Sequence, residues 1–123
     1  MGSSIMKTEV TPVTLTKKMV EEFEAIIGPQ HKLPPTFPMI FYRYIEIPWT
    51  SSTPPVLRKQ YGTMTKELVV GETYRCQVVL EKERKKRDHT FYTQCLYVYD
   101  QNEEVCTNCV SVLVTNSPLQ KKQ

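Results

Sequence analysis

Few residues in this sequence could carry out acid–base chemistry near neutral pH. The 123 residues include two histidines, His31 and His89. An imidazole works best as a general acid or base when a nearby carboxylate orients it. His31 lies in the stretch 27–33, which contains no aspartate, and the simpler interpretation is a loop histidine in solvent. His89 follows Asp88 at the start of a predicted strand, where such pairs are usually exposed. We therefore predict no complete catalytic set and keep only His31 as a candidate.

The four cysteines could form two disulfides or bind one zinc ion. Only Cys106 and Cys109 have the two-residue gap of a metal knuckle. The segment Val105 to Val114 has the pattern of a strand, which would point these two side chains to opposite faces. We therefore predict that Cys76, Cys95, Cys106 and Cys109 are reduced strand cysteines, with no metal site and no cofactor.

Positive charge is concentrated in one short stretch. The formal net charge is only +3, yet five of six consecutive positions are basic: Lys82, Arg84, Lys85, Lys86 and Arg87. Such a patch can attract phosphate groups or an acidic partner, but it is also typical of a solvated hairpin tip. Both interpretations remain open at this point.

Composition indicates one folded domain. Hydrophobic residues make up 40% and charged residues 24%, which are ordinary globular values. We expect a single domain over 1–123, with an ordered core at about 8–114 and a flexible polar tail at 115–123. No apolar run is long enough to cross a membrane, and the first residues do not resemble a signal peptide, so we expect a cytoplasmic protein.

A short strand followed by a helix is predicted before residue 30. Residues 7–14 alternate loosely and contain one proline, which suits a short edge strand. Apolar residues then recur at helical spacing, with Thr16 placed to cap the helix and Gly28-Pro29 placed to end it. The predicted apolar face consists of Met19, Val20, Phe23, Ile26 and Ile27.

A second helix is predicted after the proline-rich stretch Pro34 to Pro38. Thr36 can accept hydrogen bonds from backbone N–H groups, and Pro38 suits a first helical turn. From Met39 to Ile45 the residues are apolar almost all round, with Arg43 the one charge. A helix that is hydrophobic on every side is enclosed, so we place this helix at the centre of the core.

The rest of the chain is predicted to form a loop followed by strands. Residues 48–55 have loop composition, and turn signals separate the later segments at 70–72, 83–88 and 100–103. Short connections favour an antiparallel meander. The strand Phe91 to Tyr99 is apolar on both faces, so its second face could be a subunit interface. The four predicted strands are Leu57–Thr65, Thr73–Leu80, Thr90–Tyr99 and Val105–Val114.

Three segments in order resemble a known family. Pro34 to Pro38 resembles the "PPTFP" start of the central helix in MaoC-like dehydratase N-terminal domains. Leu68 to Tyr74 resembles that family's "L-x-x-G-D-T-L", and Asp100 to Val105 resembles its "N-Q-x-G-E-x-V" hairpin. The similarity covers about Thr8 to Val114. It implies an α+β hotdog fold, in which a curved antiparallel sheet wraps around a central helix.

The resemblance also implies chemistry on acyl thioesters. Catalytic members use a D-x-N-P-x-H motif to add water to an enoyl chain on CoA or acyl carrier protein, and that motif is missing here. The chain thus resembles the supporting half of a (3R)-hydroxyacyl-thioester dehydratase or enoyl hydratase. It would form a homodimer, or a heterodimer with a catalytic hotdog subunit. The residues expected to line an acyl channel are Thr36, Phe37, Ile40 and Phe41, and those expected to meet the carrier are Lys82, Arg84, Lys85, Lys86 and Arg87.

Other functions remain possible on the sequence alone. The chain could be a self-sufficient homodimeric hydratase or thioesterase with an unrecognised site. It could also be a non-enzymatic acyl-CoA or acyl-chain binding domain, or an interaction module. We predict no nucleic acid and no membrane partner, because only one short stretch is basic and no recognised RNA-binding motif accompanies it.

Overall fold

The structure is a computed structural model that describes residues 5–28 and 37–122. These residues contain two helices and are otherwise mostly strands. The helices are α1 (Lys17–Ile27) and a 3₁₀ helix, Phe37–Tyr44, which we call the central helix. The strands are β1 (Met6–Lys7), β2 (Thr11–Thr14), β3 (Trp49–Thr50), β4 (Val56–Met64), β5 (Thr73–Lys86), β6 (His89–Tyr99), β7 (Val105–Thr115) and β8 (Gln120–Lys121).

The main sheet is antiparallel, with the strand order β1-β5-β6-β7-β4, and β2 also pairs with β5. The predicted meander is confirmed for β5, β6 and β7. It is wrong for β4, which pairs with β7 rather than with β5. In the sheet, β4 and β5 are three strand spacings apart, a distance of about 14 Å. The connection of residues 65–72 can span about 26 Å when extended, so the short linker does not force the two strands together.

The hairpin between β5 and β6 is longer than predicted. Residues 83–88 were expected to form a turn, but the ladder continues to the pair Lys86 and His89, which leaves Arg87 and Asp88 as the turn. Arg87 has φ of 57°, in the left-handed region. The charged side chains at 82–87 remain in solvent, so the strand can continue through them without burying charge.

Helix α1 follows the prediction at both ends. The Thr16 hydroxyl accepts a hydrogen bond from the Met19 N–H at 3.2 Å, and Gly28 ends the helix with φ of 93°. Met19 is buried and Phe23 is partly buried against the core. Ile26 and Ile27 were expected on the same apolar face but are exposed. The last turn of α1 therefore stands off the core.

The central helix lies on the concave side of the sheet, as predicted. It contacts β6, β7 and α1, and Phe37, Ile40, Phe41 and Ile45 are buried. The prediction that it is enclosed all round is wrong, because Arg43 and Tyr44 on its other side are exposed. The first part of the predicted helix start, Pro34 to Thr36, lies outside the described residues.

The C-terminal segment packs on the residues that follow the central helix. Trp49 and Thr50, expected in a loop, form β3 and pair with β8. Leu119 is buried, and its N–H donates to the Tyr92 hydroxyl at 3.0 Å. Flexibility of residues 115–123 stays a prediction, but these contacts connect the segment up to residue 122 to the core.

The cysteines of β7 differ from the prediction. Cys106 and Cys109 both belong to the buried core instead of facing opposite sides of the sheet. The cause is a β-bulge, because Val98 pairs with Thr107 while Tyr99 pairs with Val105, which leaves Cys106 as the extra residue. Among the described residues, no group of three potential metal ligands and no membrane-spanning helix is present.

Candidate functional site

The concave side of the sheet is the candidate site, because the central helix covers a large apolar surface there. Its rings form an edge-to-face series, with centroid distances of 5.0 Å for Phe23–Phe37 and 6.2 Å for Phe37–Phe41. Phe41 also lies 6.5 Å from the Tyr74 ring of β5. The structure thus brings together the predicted channel residues Phe37, Ile40 and Phe41. They are packed in the core, and Thr36 lies outside the described residues.

A group of polar side chains interrupts this apolar surface. We call it the inner polar cluster, and it consists of Tyr42, Trp49, Gln60, Gln94 and Ser111. The Trp49 indole N–H donates to Gln94 Oε1 at 2.9 Å, and Gln94 Nε2 makes a longer contact of 3.5 Å to the Tyr42 hydroxyl. Gln60 Nε2 donates to Ser111 Oγ at 3.3 Å. The cluster therefore links the central helix with strands β3, β4, β6 and β7.

Strand register explains how this cluster assembles. Gln94 of β6 pairs with Ser111 of β7, and Ser111 pairs with Gln60 of β4, so the three side chains point to the same face. The sequence pattern did not predict this cluster. The available signal was Gln94 itself, which is a polar residue at an inward position between Tyr92 and Leu96.

The electrostatics of the concave side favour neutral groups. Burial raises the pKa of Tyr42 to about 12, while its hydrogen bond to Gln94 works in the opposite direction. The Tyr42 hydroxyl is therefore protonated at neutral pH. It can donate or accept a hydrogen bond, but it is not a base.

The cysteines are also neutral. Burial raises the pKa of Cys76 to about 12 and those of Cys95 and Cys109 to about 11. A thiolate is the nucleophilic form of cysteine, and these thiols remain protonated near neutral pH. The buried cysteines therefore act as packing groups.

The histidines do not complete an acid–base pair on the concave side in the part of the chain that the structure describes. His89 Nδ1 lies 3.0 Å from Asp88 Oδ1, but both side chains are exposed at the hairpin turn, as predicted. His31 lies outside the described residues.

The basic stretch is divided by the alternation of the strand. Lys82 and Arg84 pair with Thr93 and Phe91 of β6, and their side chains line an open groove of about 380 Å³ on the convex face. The Lys85 side chain is on the opposite face of the sheet, and Arg87 is in the turn. The groove is lined by Arg58, Lys82, Arg84, Lys86, Phe91, Thr93 and Val112. The predicted carrier-binding residues are therefore not all on one face.

The two edges of the main sheet differ. The β5 edge is covered by β1 and β2, whereas β4 pairs with β7 and with no other strand of residues 5–28 and 37–122. Most of β4 is exposed, including the apolar side chains of Val56, Leu57 and Tyr61. An open edge with exposed apolar residues can pair with another strand.

Known structures resemble this fold. No family model and no curated protein matches the sequence. The HadBC (3R)-hydroxyacyl-ACP dehydratase complex from Mycobacterium tuberculosis matches with a TM-score of 0.73 at 11% identity, over 94% of this chain and 100% of that chain. The MaoC-like dehydratase from Rhodospirillum rubrum matches with a TM-score of 0.64 at 8% identity, covering 94% of each chain.

The (R)-hydratase from A. caviae involved in PHA biosynthesis matches with a TM-score of 0.60 at 14% identity, over 92% of this chain and 96% of that chain. At sequence identities this low, the structural similarity establishes the fold alone. The protein is an α+β hotdog domain, and the resemblance to MaoC-like hotdog dehydratases is confirmed at the level of the fold.

Proposed function

We propose that this chain is the supporting subunit of a (3R)-hydroxyacyl-thioester dehydratase or enoyl hydratase, and that a partner hotdog chain supplies the catalytic Asp and His. The observation that carries the proposal is in the sequence. The hotdog scaffold is retained, but the segment 27–33, where the resemblance places the catalytic motif, has one histidine and no aspartate. We place this activity in the cytoplasm.

Strand β4 is the proposed pairing edge. No described segment other than β7 pairs with it, and both of its faces have exposed apolar side chains, Leu57 on the concave side and Tyr61 on the convex side. Pairing two hotdog sheets at this edge would satisfy its free backbone groups and cover these side chains. It would also place the inner polar cluster near the partner, because Gln60 of that cluster belongs to β4.

The acyl chain is proposed to lie along the central helix. Phe37 and Phe41 fill the space between this helix and the sheet, with no measurable exposure. An acyl chain therefore needs these rings to move apart, or it runs along their outer margin. Ile40 and Thr36 complete the proposed lining, and the hydroxyl of Tyr42, which lies beside Gln94, is proposed to bind a thioester oxygen.

The experiment is a hydration assay with and without a partner. The chain is purified alone and together with a candidate partner, which is a hotdog chain that carries D-x-N-P-x-H and is sought among the neighbouring reading frames. We expect no hydration of crotonyl-CoA by the chain alone, and faster hydration by the pair than by the partner alone. Hydration by the chain alone would contradict the proposal and favour a self-sufficient enzyme.

Pairing at β4 is tested separately. Leu57→Glu/Tyr61→Glu adds two charges to the proposed interface, and we expect at least ten-fold weaker association with the partner by analytical ultracentrifugation. The matched control is Val69→Glu/Val70→Glu, because these two apolar residues are equally exposed but lie in the connection before β5. Equal weakening by both variants would exclude β4 as the pairing edge.

The alternative is a domain that binds acyl-CoA or acyl chains without catalysis. It is favoured by the neutral state of the concave side, where buried thiols and Tyr42 have raised pKa values. Its signature would be binding of acyl-CoA by calorimetry with no turnover, even when the catalytic partner is present.

A further inference from the structure

The convex face of the β5–β6 hairpin has a row of cations. Lys82, Arg84 and Lys86 alternate along β5 and line the same groove. Arg58 joins them from β4, where a β-bulge between Leu57 and Lys59 leaves it as the extra residue. We call these four residues the convex basic row. None of the four makes an ion pair within residues 5–28 and 37–122.

The acidic residues of the same strand are already occupied. Glu83 accepts a hydrogen bond from the Tyr92 hydroxyl at 2.8 Å, and Glu81 accepts one from the Tyr97 hydroxyl. Within the described residues neither carboxylate forms an ion pair with the row, although each keeps its negative charge while it accepts the tyrosine hydrogen bond. The four cations of the row outnumber these two carboxylates, so the row presents a net positive field to solvent.

The floor of the groove is apolar. Phe91 and Val112 lie between the cations, and the Arg58 guanidinium carbon is 5.9 Å from the centre of the Phe91 ring. A surface that combines a few cations with an apolar floor suits a partner with carboxylates around an apolar side chain.

The spacing of the cations favours a long ligand with several negative groups over a single small anion. Alternate residues of a strand are about 6.7 Å apart, so Lys82 and Lys86 are separated by about 13 Å. One phosphate group cannot contact both ends of such a row, and the groove contains no helix N-terminus that could bind it. Carboxylates on successive turns of a helix, about 5.4 Å apart, match this spacing better.

A nucleic acid strand fits less well. Binding of single strands without sequence preference uses exposed aromatic rings as stacking platforms. The Phe91 ring is half-buried, and Arg58 lies over it. The groove therefore offers no open ring for a base.

We infer that the convex basic row, with the Phe91 and Val112 floor, is a docking surface for an acidic helix of another protein. This names a partner for the proposed function and depends on that function only in the expectation that the partner carries the acyl group. The docking surface lies on the opposite face of the sheet from the central helix, so partner docking and acyl binding use different residues.

The test measures binding of apo acyl carrier protein by fluorescence anisotropy. The apo form has no phosphopantetheine arm, so binding reports the protein surface alone. Lys82→Gln/Arg84→Gln/Lys86→Gln is expected to weaken binding about ten-fold, because each exposed ion pair contributes modestly. The control Lys17→Gln/Lys18→Gln/Lys122→Gln removes the same charge from other exposed positions and is expected to change binding less than two-fold.

Other outcomes would overturn the inference. Equal weakening by both triple variants would indicate general charge attraction, and absence of binding to the carrier protein would exclude the surface. Tight binding of a twenty-nucleotide oligothymidine or of CoA, lost only in the first variant, would assign the row to phosphates. The assay uses the chain without catalytic partner or thioester, so its failure is distinguishable from failure of the hydration assay.

Discussion

At the scale of single residues, Gln94 is the clearest departure from an apolar interior. It is buried between the central helix and the sheet, and its side chain joins Trp49 to Tyr42. Burying an amide is costly unless its hydrogen bonds are made. The inner polar cluster therefore stabilises one arrangement of helix and strands and disfavours shifted ones.

Replacing Gln94 with leucine tests this role. The Gln94→Leu variant keeps the side-chain volume but leaves the buried indole N–H of Trp49 without its acceptor. We expect a loss of about 1 to 3 kcal/mol in the free energy of unfolding, measured with urea. Trp49 is the only tryptophan, so its fluorescence reports the same site.

The double variant Trp49→Phe/Gln94→Leu is the control, because it removes donor and acceptor together. Its loss should be smaller than the sum of the two single losses. Strict additivity would show that the two side chains do not interact.

Tyr42 makes stability depend on alkaline pH. Tyrosine ordinarily has a pKa of about 10, and burial raises that of Tyr42 to about 12. The folded protein keeps a proton that the unfolded chain releases above pH 10, so this contribution is complete below pH 10 and is lost between pH 10 and 12. The loss is at most about 3 kcal/mol.

The comparison uses Tyr42→Phe, which has no hydroxyl to titrate. We expect the urea midpoint to fall less between pH 9 and 12 in this variant than in the parent chain. The raised thiol pKa values act in the same direction but are present in both proteins. Parallel pH profiles would contradict the burial of Tyr42.

At the scale of elements, the C-terminal segment differs most from the sequence-based expectation. Strand β8 pairs with β3, and the Lys122 N–H donates to the Pro48 carbonyl at 2.6 Å. Leu119 is buried beside Tyr92, whose hydroxyl accepts from the Leu119 N–H. These contacts cover one end of the concave side.

Truncation after Ser117 removes these contacts. We expect a loss of about 2 to 4 kcal/mol in the free energy of unfolding, because a buried leucine and several hydrogen bonds disappear. Trp49 should also become easier to quench with acrylamide. Unchanged stability and quenching would instead support the flexible tail predicted from the sequence.

At the scale of the whole molecule, one core holds both helices to the sheet. The buried residues of α1, the central helix and strands β2, β3, β5, β6 and β7 form a single connected cluster, which also includes Leu119. Met64 of β4 is partly buried against this cluster. We therefore expect one cooperative unfolding transition, with coincident circular dichroism and tryptophan fluorescence.

Phe41→Ala tests the central position of the helix in that core. The Phe41 side chain is fully buried, so its removal should cost about 3 to 5 kcal/mol, a large part of the stability of a small domain. Tyr44→Ala on the exposed side of the same helix is the control and should cost less than about 1 kcal/mol. Similar losses would contradict the placement of the helix.

The sequence by itself determined the helices and long strands, because capping, turns and the periodicity of apolar residues act between residues that are close in the chain. Helical spacing, the Thr16 cap and Gly28 located α1, and alternation located the four long strands. The position of the central helix also followed from its own apolar residues, Phe37 to Ile45, because such a helix must be covered. The absence of an aspartate from 27–33 is visible in the sequence alone.

The tertiary structure decided what depends on pairing between distant segments. It placed β4 beside β7, bent β7 so that Cys106 and Cys109 share the core, and joined the last residues to Trp49. It also assembled Gln60, Gln94 and Ser111 into one row. No local pattern contains these results, because strand register is set by contacts between residues far apart in the chain.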